Sequence, residues 1–301
     1  AFMQNALLAA LLSSLVCGMV GALVVVNRLV FLAGGIAHTA YGGVGIAFFF
    51  GLPVIPCSLG ISLLASWIVA GLSCRDSENL DNLVGLVWAG GMALGIILID
   101  LSSGYNVNLM SYLFGSLLTV TRENLWITSG LVLLILAVLL FAYKQFWIMS
   151  YDPDFAKARG IKVGLLYVIL LSLVALTVVI LIQVVGLILV IALLSIPPFI
   201  AKYQTGSMLR MMLLSVGWSA FFCLFGLWLA YAANISSGAA IVAVAVATSL
   251  AFFLFRGICG RMISLSVQPS GPSAQGVGET ASANRPLSTG ARRDSRSEPD
   301  L

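Results

Sequence analysis

The chain contains a single histidine, His38, inside an apolar segment that covers residues 30–52. It is about the ninth residue of that segment, so a helix would place it roughly 13 Å deep, near the middle of a bilayer. An imidazole at that depth requires a polar partner or a water-filled cavity. Because imidazole is a common ligand of borderline transition metals, His38 is a candidate ligand on an ion pathway. The alternative is a structural histidine bonded to a neighbouring helix.

Other polar and small residues could contribute to such a pathway. Asp100 is the one acid inside an apolar segment and stands near its C-terminal end. It either lines a vestibule for a cation, as a weaker candidate ligand, or caps the turn that follows. Gln183 ends a later apolar segment and either lines the pathway or bonds a neighbouring helix. Gly34 and Gly35 precede His38, and such small residues let helices approach closely or leave room for a pathway.

A polar island at residues 151–162 interrupts the apolar sequence with two Asp, two Lys and one Arg. Asp152-Pro153 is a helix start, because Pro is tolerated in a first turn and Asp suits that end of the helix dipole. Gly160 is a helix stop. We predict a short amphipathic helix at a membrane face, the alternative being a solvated loop. The apolar residues predicted to turn inward are Phe155 and either Ala158 or Ala156.

The composition indicates an all-α, polytopic membrane protein. Hydrophobic residues make up 60% of the chain and charged residues only 9%, with a mean hydropathy of +1.09. Soluble domains carry about 25% charged residues. The net charge of +4 gives no reason to expect nucleic acid as a partner. The five cysteines are scattered without a CxxC spacing, which argues against a disulfide framework or a cysteine-built zinc site.

About nine segments are apolar and long enough to be transmembrane helices, given the roughly 20 residues that a span requires. They cover residues 6–26, 30–52, 54–72, 83–101, 125–146, 164–185, 187–201, 208–233 and 238–257. The seventh is short and contains Pro197-Pro198, so its end is predicted to be broken. We expect a transmembrane domain at residues 1–260 and a disordered cytoplasmic tail, too polar to bury a core, at residues 261–301.

The basic residues set the orientation, because short cytoplasmic loops carry an excess of Lys and Arg. With the polar island in the cytoplasm, every basic residue of the other connections falls on the cytoplasmic side except Arg122. The N-terminus is then external and the C-terminus internal. Walker A, GxSxG, HExxH and CxxC sequences are all missing, so we do not expect an enzyme.

Four stretches resemble a known family, the permeases of metal-transporting ABC systems that include bacterial zinc and manganese importers. The matching stretches are residues 28–38 in the second span, 111–117 in an external connection, 151–160 in the polar island, and 183–197 with 237–242 in the late spans. The resemblance covers about residues 5 to 258, nearly all of the predicted transmembrane domain. The polar-island stretch is its most specific part.

The resemblance implies an importer of the metal and cobalamin type of architecture, in the bacterial inner membrane. Its implied partners are a second permease copy, a cytoplasmic ATP-binding subunit and an external metal-binding protein. The divalent metal ion would be cargo, with no permanently bound cofactor. The polar island would be the coupling helix that docks on the ATPase. The residues assigned to that docking are Asp152, Pro153, Asp154, Phe155, Ala156, Lys157, Arg159 and Gly160.

One position departs from the family pattern. Many members carry an acid four residues before the second-span histidine, where this chain has Gly34. A lone imidazole is a weak site for a hard ion such as Mn²⁺. The sequence therefore favours zinc, followed by manganese or ferrous iron. A permease for a larger chelate, such as a siderophore or haem, and an ion-coupled secondary transporter are the alternative functions.

Overall fold

The computed structural model of the protein describes residues 2–73, 80–102 and 122–266. Within those ranges the regular structure is entirely α-helical. The helices are α1 (Phe2–Val26), α2 (Val30–Phe50), α3 (Val54–Ser73), α4 (Leu80–Leu101), α5 (Arg122–Tyr151), α6 (Pro153–Ala158), α7 (Val163–Val185), α8 (Leu187–Gln204), α9 (Met208–Ala233) and α10 (Ser237–Ser266). The external motif at residues 111–117 and most of the predicted tail lie outside the described residues.

The all-α membrane bundle predicted from composition is confirmed. Eight of the helices that the structure describes are long and apolar enough to cross a membrane, and α8 is a shorter apolar helix. These nine helices correspond one by one to the predicted spans. Contacts divide the chain into two units, Ala1–Gly257 and Ile258–Leu301, and the described part of the second is helical as far as Ser266.

Two packed groups of helices form the first unit. In one, α1 packs against α8 and α9. In the other, α2 lies between α3 and α4 and also contacts α7 and α8. Most of α1 and α2 is buried, whereas α4 and α5 expose much of their apolar surface. Exposed leucines and aromatic residues are expected where a helix faces lipid instead of water.

Glycines set the spacing between α2 and α4. A Cβ atom added to Gly42 would lie 2.8 Å from the carbonyl oxygen of Gly91, and one added to Gly45 would lie 2.5 Å from that of Gly95. In return, a Cβ on Gly91 would lie 2.8 Å from the Cα of Thr39. The two backbones are therefore in direct contact, as in transmembrane pairs built on small residues. Because residues further along α2 contact residues further along α4, the two helices run parallel.

The prediction of a broken end for the seventh span is wrong. The helix α8 continues through Pro197 and Pro198 to Gln204, and both proline side chains are buried. Pro198 leaves the carbonyl of Leu194 without its usual helical donor. Gly21 of α1 covers that oxygen so closely that an added Cβ would lie 2.7 Å from it. Tertiary packing at the freed carbonyl is what lets the helix persist. The break between α7 and α8 does occur, at Gly186, where φ is 88°.

Connections that carry basic residues gather at one end of the bundle. The α1–α2 turn, the end of α3, α6 and the start of α7 all line one pocket, which includes Arg28 and Lys157. The last turns of α5 share a second hollow with the α8–α9 turn, at Gly206 and Ser207. Turns that carry several of the basic residues used to predict the orientation therefore lie at the same end of the bundle.

The glycine contact predicts opposite effects for two adjacent substitutions. Gly91→Ala drives a methyl group into the backbone of Thr39 and should cost about 1–3 kcal/mol of stability, the usual range for overpacking. Gly90→Ala enters open space, so it should be neutral or stabilising by up to ~1 kcal/mol through helix propensity. Thermal unfolding of the two purified variants measures both. Equal behaviour would contradict the assigned packing.

Candidate functional site

The structure places His38 against an aromatic side chain of α4. The imidazole stacks on the indole of Trp88, with ring centroids 4.5 Å apart and the planes 14° from parallel. His38 is half-buried, and no hydrogen bond to its ring is found within the described ranges. The Trp88 indole N–H donates to the Met92 sulfur at 3.1 Å. This hydrogen bond helps to fix the orientation of the indole. Stacking thus orients the imidazole while leaving both of its nitrogens available to a ligand.

The α2 backbone around His38 is tied to α4 by its neighbour. The Thr39 hydroxyl donates to the Gly35 carbonyl at 2.8 Å and lies 3.3 Å from the Val87 carbonyl on α4. Gly35 fits tightly, since an added Cβ would lie 2.5 Å from a methyl of Val84. Gly35 is therefore a packing glycine. Together these contacts fix the rotation of α2 and the direction of the imidazole.

Gly34 is different, because its surroundings have room for a side chain. A Cβ added there would meet only Ile191 of α8, at 3.6 Å, an ordinary contact distance. Gly34 lies one helical turn before His38 and on the same side of α2. This position, at which the sequence resemblance leads us to expect an acid, thus accommodates a Cβ atom in this chain.

The structure does not bring Asp100 to His38. Asp100 is exposed near the end of α4, and it stands 12 residues beyond Trp88, which is about 18 Å along a helix. The side chain of Gln183 lies outside the described part, although its backbone belongs to the last turn of α7. Across the described ranges, no group of three or more His, Cys, Asp or Glu residues could hold a metal ion. His38 is therefore the candidate ligand that the geometry supports.

A small cavity lies one turn beyond His38, where α2, α3, α7 and α8 meet. It has a volume of about 10 Å³, close to that of one water molecule. Tyr41 and Ser58 line it, and neither buried hydroxyl finds a hydrogen-bond partner in the described residues. Polar atoms left in this state are uncommon in folded proteins. The interior beside His38 is thus less apolar than the sequence suggests.

The polar island forms the predicted short helix, α6. The Asp152 carboxylate accepts a hydrogen bond from the Phe155 backbone N–H at 2.9 Å, and Pro153 occupies the first turn. At the other end, Gly160 has φ 77°. The N–H groups of Gly160 and Ile161 donate to Lys157 and Ala156 carbonyls at 2.9 and 3.1 Å. This Schellman arrangement closes the helix and turns the chain into α7.

The predicted inward face of α6 is wrong in part. Ala156 is fully buried, but Phe155 is 49% exposed and Ala158 is exposed as well. One side chain of this six-residue helix is buried against the bundle, and it is the small side chain of Ala156. Phe155 points outward, and the Arg159 guanidinium lies 5.1 Å from its ring centroid. Lys157 and Asp154 form an exposed ion pair at 3.1 Å. The outer face of α6 is therefore an aromatic residue flanked by charges.

Sequence reasoning missed Trp88. The spacing Gly91-x-x-x-Gly95 on the fourth span was a usable sign, because small residues four apart mark close helix contacts. That contact, matched to the glycines after His38, would have placed Trp88 beside the imidazole. No such pattern could have located the cavity between Tyr41 and Ser58, which depends on four helices.

A bundle of apolar helices with one exposed capped helix at its basic end is the architecture of a polytopic membrane protein. The ABC 3 transport family matches residues 1–256, so the chain belongs to that family. The manganese import system permease protein ScaB of Streptococcus gordonii is 32% identical over 241 residues, covering 80% of this chain and 86% of ScaB. An uncharacterised membrane protein of Synechocystis is 45% identical over 255 residues, covering 85% and 91%.

A solved structure shares the fold. PsaBC from Streptococcus pneumoniae, in complex with Fab, contains a chain that superposes with a TM-score of 0.76 at 31% sequence identity. The match covers 84% of this chain and 91% of that one. The resemblance predicted from the four sequence stretches is thus confirmed at the level of family and architecture.

The His38–Trp88 stack predicts how reactive the imidazole is. Because His38 is the one histidine in the chain, modification by diethyl pyrocarbonate reports on it alone. Trp88→Leu should speed that modification by about 2–10-fold, since aromatic pairs contribute about 0.5–1.5 kcal/mol. Trp67→Leu is the matched control, because the Trp67 indole instead donates to Ser172 at 2.9 Å. An unchanged rate in Trp88→Leu would contradict the stack.

Proposed function

We propose that the chain is the permease subunit of an ATP-driven importer of divalent metal ions, with His38 as a ligand on the ion pathway. The observation that carries the proposal is the placement of His38: half-buried in a membrane-spanning helix, oriented by Trp88, and without a bond to its ring in the described ranges. The names of the manganese permease relatives support the metal as cargo.

Two observations bear on which ion is carried. The relatives named for manganese favour Mn²⁺ over the zinc that the sequence placed first. Manganese prefers carboxylate oxygen, whereas imidazole also suits zinc, and Gly34 supplies no carboxylate beside His38. We propose manganese as the main cargo, bound with ligands beyond this helix. A second permease copy would supply one of them, its own His38, if the pathway lies between the two.

The other partners follow from α6 and from the family. We propose that α6 is the coupling helix, that it lies in the cytoplasm, and that it docks on a separate ATP-binding subunit. Ala156 is buried against the bundle, and the exposed Phe155–Arg159 pair would face the partner. An external metal-binding protein would deliver the ion at the opposite face, in the bacterial inner membrane. A chelate permease and an ion-coupled transporter remain the alternatives to be tested.

Uptake measured in cells with radioactive Mn²⁺ and Zn²⁺ tests the site. His38→Ala should remove most uptake while the ATPase still co-purifies with the permease. Gly34→Asp adds a carboxylate one turn away, at a position where a Cβ atom would meet Ile191 at 3.6 Å, and should raise the preference for Mn²⁺ over Zn²⁺ roughly tenfold, which corresponds to ~1.4 kcal/mol. Gly34→Asn is the uncharged control. Wild-type uptake by His38→Ala would show that the histidine is structural.

A separate experiment tests the class of transporter. Uptake by the permease without an ATPase in proteoliposomes would favour a secondary transporter.

The exposed aromatic residue of α6 predicts a second effect. Phe155→Ala should weaken ATPase binding by about 30-fold, the effect of losing an interface hot spot of ~2 kcal/mol. Gly160→Pro should be more severe, because proline cannot adopt the positive φ that ends α6. Phe141→Ala, which removes a more exposed ring from the membrane-spanning α5 (91% against 49% for Phe155), is the control. Co-purification of the ATPase with each variant measures binding, and normal recovery with Phe155→Ala would mean that this ring does not contact the ATPase.

A further inference from the structure

An open pocket of about 670 Å³ lies between the bundle and α6. Its walls come from the α1–α2 turn, the ends of α3 and α5, α6 itself and the first turn of α7. Pro153 and Lys157 of the proposed coupling helix form one side of it, whereas Arg28 and the other lining residues have no part in the proposed transport role. The pocket is separated from His38 by the inner half of α2.

The polar part of the pocket is cationic. Arg28 and Lys157 both line it, and no acidic residue does among the described residues. Asp154, on α6, pairs with Lys157 at 3.1 Å. Both members of that pair are exposed, so the pair is weak and Lys157 can exchange its partner. Two cations in one hollow favour an anionic ligand.

Two long helices also begin at the pocket. Neither α2 nor α7 has a side-chain cap at its first turn, so backbone N–H groups remain there for an acceptor. Arg28 itself has a left-handed backbone, with φ 59°. Asn27 braces this turn, because its side-chain amide donates to the Leu23 carbonyl at 2.8 Å and to the Ser150 hydroxyl at 2.9 Å. The turn that presents Arg28 is therefore held rigidly against α5.

The rest of the lining is apolar. Val26, Leu29, Met149 and Val163 also line it. A hollow that combines cations with apolar walls at the ends of membrane-spanning helices matches an amphipathic anion, since basic pockets between transmembrane helices bind lipid head groups. A free inorganic anion would gain nothing from the apolar walls. We propose that this pocket binds the phosphate of an anionic phospholipid, with Arg28 and Lys157 as its cationic contacts.

The full chain, purified in mild detergent, tests the proposal by native mass spectrometry and thermal unfolding with added phosphatidylglycerol or phosphatidylcholine. Phosphatidylglycerol should be retained preferentially and should raise the unfolding temperature. Arg28→Asn should weaken that retention about fivefold. Asparagine tolerates the left-handed backbone at this position, so the variant removes charge without adding strain. Arg28→Lys should retain the lipid, and Lys202→Gln, which removes a cation of α8 outside the pocket, should behave as wild type.

Three outcomes would overturn the proposal. The first is equal retention of phosphatidylglycerol by Arg28→Asn and the wild type. The second is that inorganic phosphate stabilises the wild type as strongly as the lipid does, which would assign the site to a free anion. The third is that Arg28→Asn keeps the lipid but loses the ATPase on co-purification, which would make the pocket a protein contact. Because none of these readouts measures metal uptake, failure here is distinguishable from failure of the proposed transport function.

Discussion

The direct backbone contact between α2 and α4 is the constraint on which the functional part of the molecule depends. Inside a membrane, apolar burial does little to hold one helix against another, because lipid is as apolar as leucine. Glycines at 42, 45, 91 and 95 let the two backbones touch. That contact fixes the parallel register, and the register decides which side chain meets His38. Without it, the imidazole would have no defined direction.

How far the sequence predicts the structure depends on the range of the interaction. The spans followed from continuous apolar runs, and the ends of α6 followed from Asp152, Pro153 and Gly160, whose effects are local. The exposure of Phe155 did not follow, because the buried face of a six-residue helix is chosen by the bundle. Trp88 and the persistence of α8 through its prolines depend on partners far along the chain, which no local pattern reports.

The first half of α2 connects the candidate site to the basic end of the bundle. His38 lies within this helix, and Arg28 stands just before its first residue, beside α6. Thr39 and the glycine contacts make the helix rigid against α4. The Asn27–Ser150 bond connects the turn before α2 to the end of α5, which leads into α6.

The brevity of α8 ties the protein to the thickness of its membrane. Its 18 residues span about 27 Å, less than the roughly 30 Å of a hydrocarbon core. The non-helical backbone at Gly186 then stands at a depth without water, where it survives only under protein cover. Leu187 is part of that cover, and it lines the small cavity together with Tyr41 and Ser58. Gly186 itself is paired, because its N–H donates to the Ile182 carbonyl at 3.0 Å and its carbonyl accepts from the Val190 N–H at 3.3 Å. A thicker bilayer would draw this irregular backbone deeper, so hydrophobic mismatch bears on this point of the bundle.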